Sequence, residues 1–389
     1  MRLYFAKYTN HRFFFVSTLV LGAYILSAYF DGRYHIREIG EEDRAASLLD
    51  DDEAMEHFPK RVSDNPTAYL EAKFGNSCYK PSVYYTWVKD FILSSDMKRS
   101  DQPDCQNRLP NVIMIGAKKC ASDALRDFLV LHPSIVYGRA PEYVDDVFVS
   151  GSGETHFFDR HYQRGIDFYR NLFPFSRPGD TLVEKTPQYL NFPDDAPAKI
   201  YNEVGKDTKI VAIICDPIRR AVSDYVMEHK RETYKKFVPM MHYRIKDTFE
   251  ESVLEYDRFE NIDTNNDLIK IGMYAYHLAR WVRYFPLSQI YLVDGGVFKT
   301  DPVKELKNLE RFLQLPRYFK KEHFFLHPKT NLYCSAFPIK RCLDKRQKGL
   351  RHPDVSDKIV KRLRDFYRAY DNQLSMMFNR TFTWMDEDV

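Results

Sequence analysis

Asn111–Leu131, NVIMIGAKKCASDALRDFLVL, changes character twice within 21 residues. Val112 to Ile115 is an unbroken apolar run of strand type. Gly116 ends it, Lys118 and Lys119 come next, and Ser122 opens a segment with the apolar spacing of an amphipathic helix. A strand, a short loop and a helix in that order present backbone N–H groups and the positive end of a helix to an anion such as phosphate or sulfate, and two ammonium groups add full charge. The spacing and the missing closing Gly-Lys-Ser/Thr exclude a Walker loop. Read alone, the two lysines also fit solvated surface charge, so the function has to come from motifs further along the chain.

Lys209–Tyr225, KIVAIICDPIRRAVSDY, repeats the arrangement: a strand stops at Cys215-Asp216-Pro217 and restarts as a helix carrying Arg219, Arg220 and Ser223. An arginine and a serine one turn apart suit a second phosphate-sized group. Asp216 before proline is expected to cap this helix, an interaction worth on the order of 1 kcal/mol. Between the two sites lie Gly153–Asp159, GETHFFD, and Glu184-Lys185-Thr186-Pro187. There carboxylates and an imidazole alternate with aromatics, a composition suited to a partly desolvated base.

The strand-like runs Val112–Ile115, Thr181–Val183, Lys209–Ile214 and Gln289–Val293 alternate with helical patterns from Ser122 and Arg219 and at Gly272–Phe285, Val303–Leu313 and Asp357–Tyr370. That order predicts a parallel sheet wrapped by helices, over residues 110–389. Trp281, on an apolar helix face, is expected in the core. The chain has 389 residues, is 44% hydrophobic and 29% charged, and carries a formal net charge of +3, too little by itself to argue for a polyanion partner. Lys340, Arg341, Lys345, Arg346, Lys348 and Arg351 do cluster. Nothing calls for nucleic acid or a bound metal.

Ahead of the domain, Phe13–Phe30 is an uncharged, largely apolar run of 18 residues behind Arg2, Lys7 and Arg12. No clear small-x-small site of the kind a cleaved signal peptide needs follows it, so it predicts a signal-anchor instead, with residues 1–12 cytoplasmic, 13–30 spanning the membrane and the rest lumenal. Residues 31–109 read as a stem, with an acidic cluster from Glu41 to Glu53 and a short helix at Tyr84–Leu93. Cys78 with Cys105, and Cys334 with Cys342, are candidate lumenal disulfides, whereas Cys120 and Cys215 are expected as free thiols. Asn379-Arg380-Thr381 is a usable glycosylation sequon; Asn65-Pro66-Thr67 is blocked by its proline.

Taken in order from Pro110 to Trp384, IGAKK with Ser122, HFFD, EKTPQY, DPIRRAVSDY, YFPLSQIYLVDG, Tyr333-Cys334 to Cys342-Leu343, KGLRHP and RLRDFY resemble the Golgi heparan sulfate sulfotransferases, above all the heparan sulfate glucosamine 3-O-sulfotransferases. The resemblance implies an α/β, P-loop-like sulfotransferase fold, a central parallel sheet flanked by helices behind an N-terminal transmembrane helix, in a single-pass type II glycoprotein of the Golgi. It implies the donor 3′-phosphoadenosine 5′-phosphosulfate (PAPS), held by Lys118, Lys119, Cys120, Ala121 and Ser122 at one end, by Cys215 and Ser223 at the other, and by Lys348, Gly349 and Arg351. By the same carry-over Glu154 is the general base, Lys119 neutralises the leaving phosphate, His156 and Asp159 orient the sugar, and Lys185 meets an acidic group on it.

This chain departs from the family pattern at several of these positions. Cys120 and Ala121 stand where relatives have two glycines. Cys215, Leu350 and Asp123 stand where they have arginines, and Val226-Met227 displaces a glutamine. Giving up one charge-assisted hydrogen bond costs roughly 1.5 to 3 kcal/mol. Two classes of function are therefore carried forward: a sulfotransferase acting on heparan sulfate, at the 3-hydroxyl or alternatively at the nitrogen, and a lumenal polysaccharide-binding pseudoenzyme.

Overall fold

The computed structural model describes residues 78, 103–138, 143–144, 147–148, 153–233, 242–255, 261–338, 340–342 and 352–385. The expected anchor Phe13–Phe30, the acidic stem cluster, the Tyr84–Leu93 helix and the site residues Lys348, Gly349 and Arg351 lie outside these. Among the described residues no helix is long and apolar enough to cross a membrane.

The chain runs β1 (Val112–Gly116), α1 (Ser122–Leu129), β2 (Ile135–Tyr137), β3 (Tyr143–Val144), β4 (Val147–Phe148), α2 (Ile166–Asn171), β5 (Thr181–Lys185), α3 (Ala196–Glu203), β6 (Lys209–Ile214) and α4 (Pro217–Thr233). It continues with α5 (Phe249–Val253), α6 (Asp267–Lys270), α7 (Tyr274–Trp281), β7 (Ile290–Asp294), α8 (Gly295–Thr300), α9 (Pro302–Leu313), β8 (Phe324–Leu326), β9 (Tyr333–Ser335) and α10 (Asp357–Phe378). Five strands form one sheet in the order β2-β5-β1-β6-β7, and all four pairings are parallel. All five residues of β1 and the last five of β6 are buried, as expected for parallel strands covered on both faces.

The topology fixes where a ligand can bind. From β1 the chain leaves through α1 toward β2, and from β6 it leaves through α4 on its way to β7, on the opposite side. The loops after β1 and β6 therefore diverge and leave a crevice at the carboxyl ends of these neighbouring strands. Gly116 ends β1 because nothing larger fits: an added Cβ would lie 2.7 Å from Cβ of Leu190. Leu190 in turn meets Trp281, whose Nε1 donates to its carbonyl at 3.4 Å. Trp281 is fully buried, as expected of a core residue.

The strands and helices read from the sequence fall where it places them, while β2, α2, α5, α6 and α8 are too short for periodicity to announce. Residues just ahead of 110 already bond to the domain, Gln106 pairing with Ser176 and Arg177 meeting Asp104 at 2.6 Å. Cys78–Cys105 and Cys334–Cys342 are disulfides, as expected. The free thiols expected at Cys120 and Cys215 are not found: these two are bonded to each other, S–S 2.04 Å, across 95 residues of sequence. Sequence spacing could not reveal the pairing, because it arises only when β1 and β6 become neighbours.

Candidate active site

The loop from β1 to α1 has an unusual backbone. Lys119 and Ala121 take φ values of 71° and 66°, while Cys120 between them does not have a positive φ. Alternation of left- and right-handed residues turns successive N–H groups to one side, forming a concavity for an anion. Non-glycine residues hold such angles at a cost of about 1–2 kcal/mol each, so the surroundings must enforce them. Ala121 is the N-cap of α1 and contributes no side-chain acceptor, which leaves the first-turn amides without that partner.

The two lysines of this loop part company. Lys118 points Nζ at Asp224 and Glu228 of α4, both at 2.9 Å, and donates to the Tyr243 hydroxyl at 2.7 Å. The Lys118 side chain, expected at the cradle, is thus turned toward α4, where Asp224 also pairs with Arg220. Lys119 stays at the crevice, half-buried, with Nζ 3.6 Å from Sδ of Met227 on α4.

On the β6 side, Asp216 accepts from the Ile218 N–H at 2.9 Å and so caps α4, as the sequence indicated. Arg364 of α10 meets its second carboxylate oxygen at 3.2 Å. A cleft of about 400 Å³ opens here, lined by Asp216, Arg219, Val222, His352 and Arg364 among others. Ser223 lies one turn beyond Arg219 on α4 and is half-buried. Burial, and then the charges of Lys119, Arg219 and Lys299, lower the pKa of His352, the signature of a positive potential suited to an anion. The crevice thus carries an amide concavity at one loop and cationic side chains at the other, a donor set that fits a nucleotide with anionic groups at both ends.

The acid–base cluster sits beside α1. Glu154 Oε1 accepts from Lys185 Nζ at 2.7 Å, and its Oε2 lies 3.1 Å from Nε2 of His156. Nδ1 of His156 reaches Asp159 at 2.9 Å. His156 has φ 47° and begins the single wide turn Phe157–His161, in which the His161 N–H returns to the His156 carbonyl. Burial would lower the pKa of His156, but hydrogen bonds to Asp159 and Glu154 raise it to about 9. Burial would raise that of Glu154, but the Lys185 charge and the His156 hydrogen bond hold it well below the usual carboxylate range. The expected constellation Glu154, His156, Asp159 and Lys185 is therefore assembled.

Lys185 links two elements of the site. Its fully buried side chain lies between Glu154 and Asp123, whose Oδ1 is 2.5 Å away. Burial would depress the ammonium, yet Glu154 and then Asp123 raise its pKa. Asp123 in the first turn of α1 also pairs with Arg126 at 3.0 Å. It was legible only as a departure from the family pattern.

Glu184 was missed as a group of its own. It neighbours Lys185 on β5 and, by the alternation of a strand, faces the opposite way. There it accepts from Thr155 at 2.7 Å, Thr186 at 2.6 Å and Tyr169 at 3.2 Å. Burial pushes its pKa up to about 7.

A parallel sheet with an anion crevice at its switch point and a carboxylate beside it is the setting of this site, and residues 109–378 match the sulfotransferase domain family. The chain is 35% identical over 283 residues to heparan sulfate glucosamine 3-O-sulfotransferase 3B1 of Mus musculus, a match covering 71% of this chain and 65% of that protein, just under two thirds of its length. It is 31% identical over 290 residues to heparan sulfate glucosamine 3-O-sulfotransferase 5 of Homo sapiens, covering 72% and 75%. The chain belongs to the heparan sulfate glucosamine 3-O-sulfotransferase family. Among solved structures, the sulfotransferase from Alicyclobacillus acidocaldarius aligns with a TM-score of 0.49 at 18% identity, covering 72% of this chain and 99% of that one.

Proposed function

We propose that the chain transfers a sulfuryl group from PAPS to the 3-hydroxyl of a glucosamine in heparan sulfate. The carrying observation is the position of Lys185: one ammonium binds both Glu154 and the first turn of α1, so the carboxylate is tied directly to the helix that succeeds the anion loop. When bound, the donor supplies the sulfuryl group and a phosphate leaving group. Amides of residues 117–122 and the Lys119 ammonium hold the charge that develops at that end, while Arg219 and Ser223 hold the other. Glu154 accepts the proton of the acceptor hydroxyl. Because His156 and Lys185 both bind Glu154, it stays ionised and oriented, and Asp159 fixes the imidazole.

Incubating the protein with radiolabelled donor and desulfated or N-sulfated heparan, then mapping the label, tests the reading. Label at the 3-position is expected, and Glu154→Gln is expected to reduce incorporation by about 10²–10⁴. Label on nitrogen would favour N-sulfation, and heparin binding without incorporation would favour the pseudoenzyme. Incorporation unchanged in Glu154→Gln would remove the base assignment.

The same reading places the protein in the Golgi membrane with its catalytic domain lumenal, anchored by Phe13–Phe30. Three disulfides support an oxidising compartment. Asn379 ends α10 as an exposed residue, accessible to glycosylation. A shift in mobility on glycosidase treatment, lost in Asn379→Gln, is the expected result.

A further inference from the structure

Cys120 and Cys215 sit on the two loops that bound the crevice, one after β1 and one after β6. Their bond joins the amide concavity to the cationic side. Cys120 is 2% exposed and lies between the two left-handed residues Lys119 and Ala121. Other contacts also hold this loop: Lys118 Nζ meets Asp224 and Glu228 of α4 at 2.9 Å, Ala117 N–H donates to the Ile213 carbonyl at 2.6 Å and Cys120 N–H to the Ala117 carbonyl at 3.1 Å. Tyr274 braces the bridge from below, its hydroxyl donating to the Cys215 carbonyl at 2.8 Å and lying 3.4 Å from Cys120 Sγ. Neither Lys119 nor Ala121 favours its observed backbone conformation, so the loop keeps its concave shape only while something external enforces it. The Cys120–Cys215 bridge is the covalent constraint on this loop.

We propose that the Cys120–Cys215 cystine is a positioning element for the donor, holding residues 117–121 in their anion-cradling shape and fixing the separation of the two anion sites before any ligand arrives. It rests on the donor reading given above. A preshaped loop meets its ordering cost during folding rather than during binding, so the bridge acts on donor affinity.

The test uses the full chain and the donor-derived nucleotide adenosine 3′,5′-bisphosphate. Non-reducing peptide mapping comes first and is expected to find the 120–215 cross-link; free thiols at both positions would overturn the proposal. Calorimetry then compares the wild type with Cys120→Ser/Cys215→Ser, each with and without Ala121→Gly. Loss of the bridge is expected to raise the nucleotide Kd by about tenfold or more. Glycine at 121 enters the left-handed region freely, so it should lower the nucleotide Kd about threefold more in the bridgeless protein than in the bridged one.

In turnover the donor KM should rise in parallel with Kd, with the acceptor KM unmoved. A merely structural role would lower the active fraction and leave both KM values alone, and that result, an unchanged Kd, or additive effects of Ala121→Gly would each refute the proposal. If the double serine variant does not fold, Tyr274→Phe removes only the bracing hydroxyl. It is expected to raise Kd by roughly threefold, and no change there counts equally against the inference. A wild-type chain that ignores the nucleotide at millimolar concentration overturns the donor reading itself and takes the inference with it.

Discussion

His156 offers a direct handle on the cluster. It is 6% exposed, lies within 3.1 Å of Glu154 and 2.9 Å of Asp159, and its pKa rises from an ordinary 6.5 to about 9. The folded protein therefore binds this proton more tightly than the unfolded chain does. The resulting stabilisation is fully present below pH 6.5 and is lost as pH climbs through about 9. A proton held tighter across this whole interval corresponds to about 3 kcal/mol, at roughly 1.4 kcal/mol for each tenfold in affinity. Urea denaturation of the purified protein at a series of pH values across this window should show the midpoint falling. His156→Gln, which keeps a donor toward one carboxylate but carries no proton to lose, should begin less stable at low pH and show a correspondingly flatter profile. Equal slopes in the two proteins, or an imidazole titrating below about 7 by NMR, would refute the linkage between the two carboxylates and the imidazolium.

Glu184 acts in a lower window: its pKa is raised to about 7, so the stability it contributes is present below its unfolded value and lost as pH rises through 7. Glu184→Gln should remove that loss, so the variant gains up to about 3 kcal/mol on the wild type between acid and pH 8 in thermal denaturation at matched ionic strength. Asp123→Ala leaves Lys185 with Glu154 alone and removes a half-exposed negative charge from the mouth of the site. The KM for an anionic heparan oligosaccharide should fall by roughly fivefold, a change of about 1 kcal/mol, with the effect shrinking in high salt. Trp281→Ala empties a fully buried position beneath Leu190 and should destabilise the protein by about 3–5 kcal/mol in equilibrium unfolding.

The central sheet was legible because parallel strands covered on both faces are written as continuous apolar runs, as in Val112–Ile115 and Lys209–Ile214. Glu154, His156, Asp159 and Lys185 were legible as a group through the ordered motifs of the family. Contacts made across the fold were not. The lysines at 118 and 119 look alike in sequence, and only the proximity of α4, with Asp224 and Glu228, separates a structural cation from one at the crevice. The pairing of Cys120 with Cys215 depends on the crossing order of the strands, and the left-handed angles at Lys119, Ala121 and His156 occur at residues that do not advertise them. Asp123 appears in a sequence only as a missing arginine; its hold on Lys185 requires the first turn of α1 to face β5.

Along β5 the chain sets an acid whose burial raises its pKa to about 7 directly next to a charged amine, and the pleat sends them into separate compartments. A one-residue slip of this strand against β1 would exchange the two, sealing a cation among Thr155, Tyr169 and Tyr189 and offering Glu154 a second acid for company. The pairing of Val112 with Val183 and of Met114 with Lys185 is thus a chemical setting as much as a mechanical one. Insertions or deletions between residues 181 and 185 should abolish turnover even where the sheet itself survives.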